Sequence, residues 1–363
     1  MGTLKLLKGK ITLSIITITI CTLAFVMLFY TETISPFSFR LKSCPRRNTA
    51  KKSSQDDRNR DFGALNYAAD DRFEFDPEEC SLVHGKWVFN RSIKPLYSDR
   101  TCRYLDRQVS CVKNGRPDSD YRHWEWQPDD CILPRFDPEI ALRKLQGKRL
   151  MFVGDSLQRG QWQSFVCLVD SVIPQGQKSM KRGRLHSVFK AKEYNATIEF
   201  YWAPFLVESN SDLHIIADPK KRIMKVDSVA KHAKHWIGVD ILVFDTYVWW
   251  MGRLRTNSLW GSFANGEEGY QELDTPVSYN IGLKTWANWV DSNLNPNRTR
   301  VFFTTMSPLH ERIDAHTSIY TELGGKLLTD EQQADPLHYA DCVHWCLPGV
   351  PDTWNQILYA HLL

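Results

Sequence analysis

Three side chains, far apart in a chain of 363 residues, have the types that make a serine hydroxyl reactive. Ser156 follows Gly154 and Asp155, and Asp341 stands three positions before His344. An unactivated hydroxyl is a poor nucleophile and needs a base beside it. A histidine can take the proton, while a carboxylate holds that histidine in the correct tautomer and stabilises the imidazolium that forms. Taken singly, each piece has a plain structural reading: Gly-Asp-Ser is a common helix N-cap, and an Asp–His pair can cap a helix beginning near Pro351. Together they are far more specific and predict acyl chemistry at a serine.

Such chemistry demands a scaffold. Leu150, Met151, Phe152 and Val153 form a short apolar run, and Leu157, Trp162, Phe165 and Val166 follow with helical spacing. This predicts a buried strand, a tight turn and a helix. The turn lifts Ser156 above the C-terminal edge of a sheet and points helix N-terminal N–H groups at the reacting centre. On a turn or short helix, Asp341 and His344 would share one face. Further strands are expected over Ala196–Trp202, Ile241–Thr246 and Val301–Met306, with a helix over Ser278–Asn293. Strands alternating with helices predict an α/β fold with a parallel sheet flanked by helices, its site at the strand C-termini.

Around these residues, Gly154–Arg159, Phe244–Trp250 and Asp341–Asn355 (D-C-V-H-W-C-L-P-G-V-P-D-T-W-N) resemble the plant trichome-birefringence-like family. Its members are Golgi polysaccharide O-acetyltransferases of the SGNH/GDSL esterase superfamily, and the likeness runs from about Cys80 to the end. The resemblance implies a three-layer α/β/α SGNH-like domain over 132–363 and a smaller, disulfide-braced N-terminal lobe over 76–131. It implies transfer of acetyl to a wall glycan, with xylan first and xyloglucan, mannan and pectin as alternatives; an acetyl-esterase using the same triad with water as acceptor, and an inactive wall-polysaccharide binding protein, are the rival readings. No bound cofactor is implied. An acetyl donor is, either acetyl-CoA or an acetylated intermediate. Bridges Cys80–Cys131, Cys102–Cys167 and Cys111–Cys346 are implied as well. Gly154, Asp155 and Arg159 would line the oxyanion and substrate site with Asp245.

Two departures from the family stand out. Where the superfamily usually carries an oxyanion-binding Asn, this chain has Asp245, and an ionised carboxylate cannot donate to an oxyanion. Losing one such donor costs about 3–4 kcal/mol of barrier. Either backbone N–H groups and Arg159 suffice, or the chain is slow, or Asp245 is protonated or purely structural. Secondly, the family separates Met306-Ser307-Pro308 from the Asp314–Ser318 segment by several dozen residues that hold a cysteine and a core strand. Here only Leu309–Ile313 join them. A family segment near 308–314 is therefore expected to be missing, leaving Cys342 without its family partner.

A formal charge of +4, partly in the N-terminal tail, gives no reason to expect nucleic acid. Residues 11–30 are uncharged, apolar and long enough to span a bilayer, which predicts a signal-anchor after a cytosolic tail over 1–10. Charge does not orient it, because Lys5, Lys8 and Lys10 precede the span while Arg40, Lys42, Arg46 and Arg47 follow. Seven cysteines beyond residue 75 do, supported by sequons at Asn90, Asn195 and Asn297. The expectation is a single-pass type II protein of the Golgi membrane with a lumenal catalytic part and a polar stem over 31–75.

Tandem Trp249-Trp250, and Trp260 beyond, could offer flat platforms to sugar rings or fill a core. Lys231, His232, Lys234 and His235 read as a solvated helix face or as a cationic site for an acidic sugar. Cys342, His344 and Cys346 lack a second Cys/His pair at zinc spacing, so no metal is expected. No phosphate-binding glycine loop is present.

Overall fold

The computed structural model describes residues 79–261, 269–305, 307 and 316–363. The expected tail (1–10), signal-anchor (11–30), stem (31–75) and the junction at 308–314 lie outside these residues. Among the described residues no helix is long and apolar enough to cross a membrane.

Strands β1 (Gly85–Phe89) and β2 (Trp124–Pro128) form an antiparallel ribbon at the N-terminal side. Helix α1 (Pro138–Lys144) follows, started by Asp137, whose carboxylate accepts from the N–H groups of Glu139 and Ile140. Next come β3 (Arg149–Gly154), α2 (Ser156–Asp170), β4 (Lys178–Lys181), β5 (His186–Ala191) and β6 (Ala196–Trp202). The chain continues through β7 (Glu208–Ser209), β8 (Ile223–Lys225), α3 (Ala230–Trp236), β9 (Ile241–Asp245), β10 (Arg255–Leu259), β11 (Gln271–Asp274) and α4 (Thr275–Asn293). It ends with β12 (Arg300–Thr304), β13 (His316–Ser318), the small hairpin β14 (Glu322–Leu323) and β15 (Lys326–Leu327), β16 (Asp341–Trp345) and α5 (Val350–Leu362).

The central sheet has the order β12-β9-β3-β6-β5-β4. β12, β9, β3 and β6 run parallel, whereas β5 pairs antiparallel with both β6 and the edge strand β4. The expected parallel sheet is thus mixed. The cause is local: Ala191 pairs with Ala196 across a turn in which Asn195 adopts φ 48°, and so short a connection permits only antiparallel pairing. A second sheet, β11-β10-β8-β7, lies outside the central one.

Strand periodicity divides the core. Leu150 and Phe152 of β3 pack with Trp162 and Phe165 of α2, Leu142 of α1 and Tyr359 of α5. Met151 and Val153 point the other way, to Trp236 of α3 and the Trp286 and Trp289 side of α4. Successive strand residues face opposite sides, so α1, α2 and α5 cover one face while α3 and α4 cover the other. His232 is correspondingly not on a solvated face: it is fully buried against Asp212, 3.3 Å away, and only Lys234 of that cluster is exposed.

The N-terminal segment is fastened to this sheet rather than hung from it. Bridges Cys80–Cys131, Cys102–Cys167 and Cys111–Cys346 are all present, the last spanning 235 residues. Cys342 is disulfide-bonded as well. The Tyr97 hydroxyl donates to Asp352 Oδ1 of α5 (2.7 Å), which also receives the Ser164 hydroxyl of α2.

Candidate active site

β3 lies between β6 and β9, where the chain's progress across the sheet reverses, and ligands bind at such switch points in open α/β sheets. β3 ends at Gly154, and a Cβ there would come within 2.5 Å of the Asp245 carbonyl oxygen, so only glycine lets β3 and β9 end so close together. Asp155 then caps α2, its carboxylate accepting from Leu157 N–H at 2.8 Å. Ser156 is the first residue of this 15-residue helix, where unpaired N–H groups and the helix dipole favour developing negative charge.

The second half of the site is unlike its sequence expectation. Asp341–Trp345 is a strand, not a turn or helix, and in a regular strand residues three apart face opposite sides. Ser318 pairs with Asp341 and His316 with Trp345, so four steps along β16 match two along β13. This bulge bends β16. Asp341 Oδ1 fills the gap by accepting from the N–H groups of Val343 and His344, both at 3.0 Å. The bend returns Asp341 Oδ2 to 2.7 Å from His344 Nδ1, and His344 Nε2 lies 2.7 Å from Ser156 Oγ. Ser156, His344 and Asp341 thus form one continuous hydrogen-bonded chain. Burial pushes the Asp341 carboxyl up, but the His344 charge and its hydrogen bonds outweigh this and hold it well below the usual carboxylate range. The Thr321 hydroxyl adds a donor to Oδ2 at 3.3 Å.

Gln108 was not foreseen. Its Nε2 lies 3.1 Å from His344 Nδ1, and its Oε1 accepts from Arg159 Nη2 at 3.0 Å. The implied Cys111–Cys346 bridge held the clue, since Gln108 and His344 lie three and two residues from the bridged cysteines. Arg159 is accordingly turned toward Gln108 and Asp106 (Nε 3.5 Å from Oδ2), not held for an oxyanion alone.

Asp245 sits at the end of β9, 4% exposed, with Oδ1 lacking a hydrogen-bond partner. Burial, then the charge of Asp155, pushes its carboxyl well above the usual range, while burial raises Asp155 to about 6. Two buried carboxyls this close favour the protonated form of one. Of the tandem tryptophans, Trp250 is 1% exposed and donates to Thr246 Oγ1, which rules it out as a sugar platform. Trp249 packs edge-on against Trp202 and Phe205, with the Arg222 guanidinium 4.1 Å from its ring centroid. Trp260 is 44% exposed. Asn195 and Asn297 are exposed, whereas Asn90 is half-buried, its amide N–H on Glu125 Oε1. Among the described residues no group of three or more His, Cys, Asp or Glu could hold a metal ion.

With this geometry, comparison with known proteins is decisive. Residues 133–313 and 309–361 match PC-Esterase, described as a GDSL/SGNH-like acyl-esterase family found in Pmr5 and Cas1p, and residues 78–132 match the PMR5 N-terminal domain. The chain belongs to the PC-Esterase family. Among its relatives, protein trichome birefringence-like 3 of Arabidopsis thaliana is 56% identical, over 97% of each chain. Probable xylan O-acetyltransferase 8 of Oryza sativa subsp. japonica is 50% identical, over 80% of this chain and 79% of that protein. The first alignment spans 422 positions although 97% of a 363-residue chain takes part, so about 70 positions of that relative have no counterpart here. The mixed α/β sheet of the central domain is consistent with a GDSL/SGNH-like PC-Esterase.

Proposed function

We propose that this PC-Esterase transfers acetyl groups to hydroxyls of xylan through an acetyl-serine intermediate. The observation that carries the reading is the Ser156–His344–Asp341 chain, with both hydrogen bonds at 2.7 Å. The names of the relatives supply the glycan, since several are xylan O-acetyltransferases. His344 removes the Ser156 proton as Oγ attacks the donor's acetyl carbonyl, and returns it to the leaving group. A sugar hydroxyl, deprotonated by the same nitrogen, then attacks the acetyl-serine and releases Ser156. N–H groups at the start of α2 take the oxyanion, with a protonated Asp245 available as a neutral donor in place of an amide.

The donor, acetyl-CoA or an acetylated intermediate, binds only for transfer. The setting is the Golgi lumen, behind a type II anchor over 11–30, with Asn195 and Asn297 exposed as glycan acceptors. The chain is a form lacking a stretch of the family domain near 308–314. Incubation of the full chain with an acetyl donor and deacetylated xylan tests the reading. Acetate on sugar, abolished in Ser156→Ala and His344→Ala, is expected. Acetate released to water would make it an esterase, and substantial activity in either variant would refute the triad.

A further inference from the structure

One side of the central sheet is open. β12 is its last strand, and among the described residues no strand pairs with its outer edge. The Arg300 N–H points inward, to the Asp240 carbonyl oxygen at 2.8 Å. Backbone groups alternate in direction along a strand, so Val301 and Phe303 turn their N–H and C=O groups outward. After β12 the chain bends back toward β9, where Ser307 Oγ lies 2.7 Å from the Tyr247 hydroxyl oxygen. The devices that usually protect an edge are missing from R-V-F-F-T, which has no proline, no bulge and a single charge at its first residue. Beside it, α4 carries two apolar stripes. Trp286 and Trp289 pack on the sheet, whereas Leu283, Ala287 and Val290 form a second, half-buried row. Leu283, Lys284, Trp286 and Ala287 line, with Phe303, a recess of about 270 Å³. There the Trp286 indole N–H is buried without a hydrogen-bond partner among the described residues. About 70 positions of trichome birefringence-like 3 have no counterpart in this chain, and the family match breaks in two at 309–313, just past β12. The break places the missing stretch beside the bare edge.

We propose that β12 and the outer row of α4 form a self-association surface, through which two copies of this chain join edge to edge about a two-fold axis at Phe302. The surface is complementary to itself. Antiparallel pairing about that axis sets Val301 of one copy opposite Phe303 of the other as hydrogen-bonded pairs, which satisfies every outward backbone group of both residues. Phe302 meets its own counterpart and Arg300 meets Thr304, so no like charges oppose each other. The same axis lays the two α4 helices antiparallel on one face of the joined sheet. Phe303 shares the recess with α4 from Leu283 to Ala287. Phe302 is one strand step back, about 3.3 Å or roughly two helical residues, and so lies level with Ala287. This small residue then sits near the axis, where two helices can approach closely. Leu283 faces Val290 of the second copy, and the exposed Lys284 comes opposite the exposed Asp291. Such a two-fold contact uses one patch twice and closes at two copies. It makes no use of the acetyl-serine chemistry.

The test is sedimentation of the full chain in detergent at increasing concentration, with register read by cross-linking. Native protein should reach twice the chain mass, and so should Ser156→Ala. Ala287→Arg brings two guanidinium groups together at the axis and should return the chain to a monomer without lowering its melting temperature. Differently tagged Arg300→Cys and Thr304→Cys chains supply the register. Opposite residues of this non-hydrogen-bonded kind have Cα atoms about 4.5 Å apart, within disulfide reach, whereas each residue lies about 13 Å from its own counterpart. Mixed and mildly oxidised, the two variants should cross-link to each other, and neither to itself. A native chain that stays monomeric at every concentration would show the edge closed by the chain's own residues and overturn the proposal. A dimer that survives Ala287→Arg, or self-cross-linking of either cysteine variant as strong as that of the mixture, would overturn it too. Failure of the triad would leave all of these results unchanged, which separates the two readings.

Discussion

Asp341→Asn separates the catalytic duty of Asp341 from its structural one. In the native strand Oδ1 accepts from two backbone N–H groups, of Val343 and His344, both at 3.0 Å. An asparagine must place its only oxygen there, because its NH2 would meet two donors. The NH2 then takes the place of Oδ2, facing His344 Nδ1, and forces the proton to Nε2. That tautomer cannot accept from Ser156. The expected loss is about 10⁴-fold in turnover, or about 5 kcal/mol of transition-state stabilisation. Asp341→Ala would cost a similar amount of activity but also orphan the two N–H groups, at about 1–3 kcal/mol each.

Near neutral pH the Asn variant should therefore melt between the two, below the native protein because it lacks the ionised carboxylate and above the Ala variant because it keeps both backbone hydrogen bonds. The sign of the pH dependence follows from the depressed Asp341 carboxyl. Its stabilisation is complete above the ordinary value of 3.8 and is lost as pH falls through and below that value, so the native and Asn curves should converge in acid. Acyl transfer and thermal melting, measured on the same preparations, check this. An Asn variant keeping more than about a tenth of native activity would refute the tautomer argument, as would one that melts with the Ala variant.

Asp245→Asn should keep activity and stabilise the chain at neutral pH, because a buried carboxyl raised above its ordinary value costs stability as pH rises. Melting at pH 4 and pH 8 should show the gap between variant and native protein opening with pH; a constant gap would contradict the buried-pair account. Gly154→Ala should cost about 1–3 kcal/mol, since its Cβ meets backbone at 2.5 Å rather than a side chain that can turn aside. A native melting temperature would show that β3 and β9 can separate freely. Cys111→Ser should cost about 3–5 kcal/mol and lower activity as well, because the bridge ends two residues from His344; full activity in a destabilised variant would uncouple the bridge from the site.

The strand–turn–helix around Ser156 was legible because its signal is local: an apolar run, a glycine, a capping carboxylate, then helical spacing. β6 and β9 were legible for the same reason. The Asp341–His344 segment was legible as a pair but not as a strand, because its conformation is fixed by pairing with β13, and no residue within the segment announces the bulge. The antiparallel edge of the sheet depends on a turn at Asn195 that reads equally well as a sequon. Trp250 and His232 were ambiguous since an aromatic or a histidine has the same letter inside and outside; only packing against Thr246 and Asp212 decides. Gln108 carries no motif at all, and its place beside His344 arises from two chain segments brought together by a distant bridge. Asp245 was visible as an oddity, while its buried partnership with Asp155 follows from the approach of β9 to Gly154.

The Cys111–Cys346 bridge orders events on the ribosome. Cys111 emerges 235 residues before the thiol it must find, and meanwhile Cys80, Cys102 and Cys131 are its near neighbours in the growing chain. Oxidation of Cys111 in that interval joins it to a wrong partner, and only reshuffling after Cys346 has been synthesised can release it. A thiol–disulfide isomerase should therefore govern how much competent protein a cell obtains, and its withdrawal should yield a scrambled product in which Gln108 never meets the imidazole.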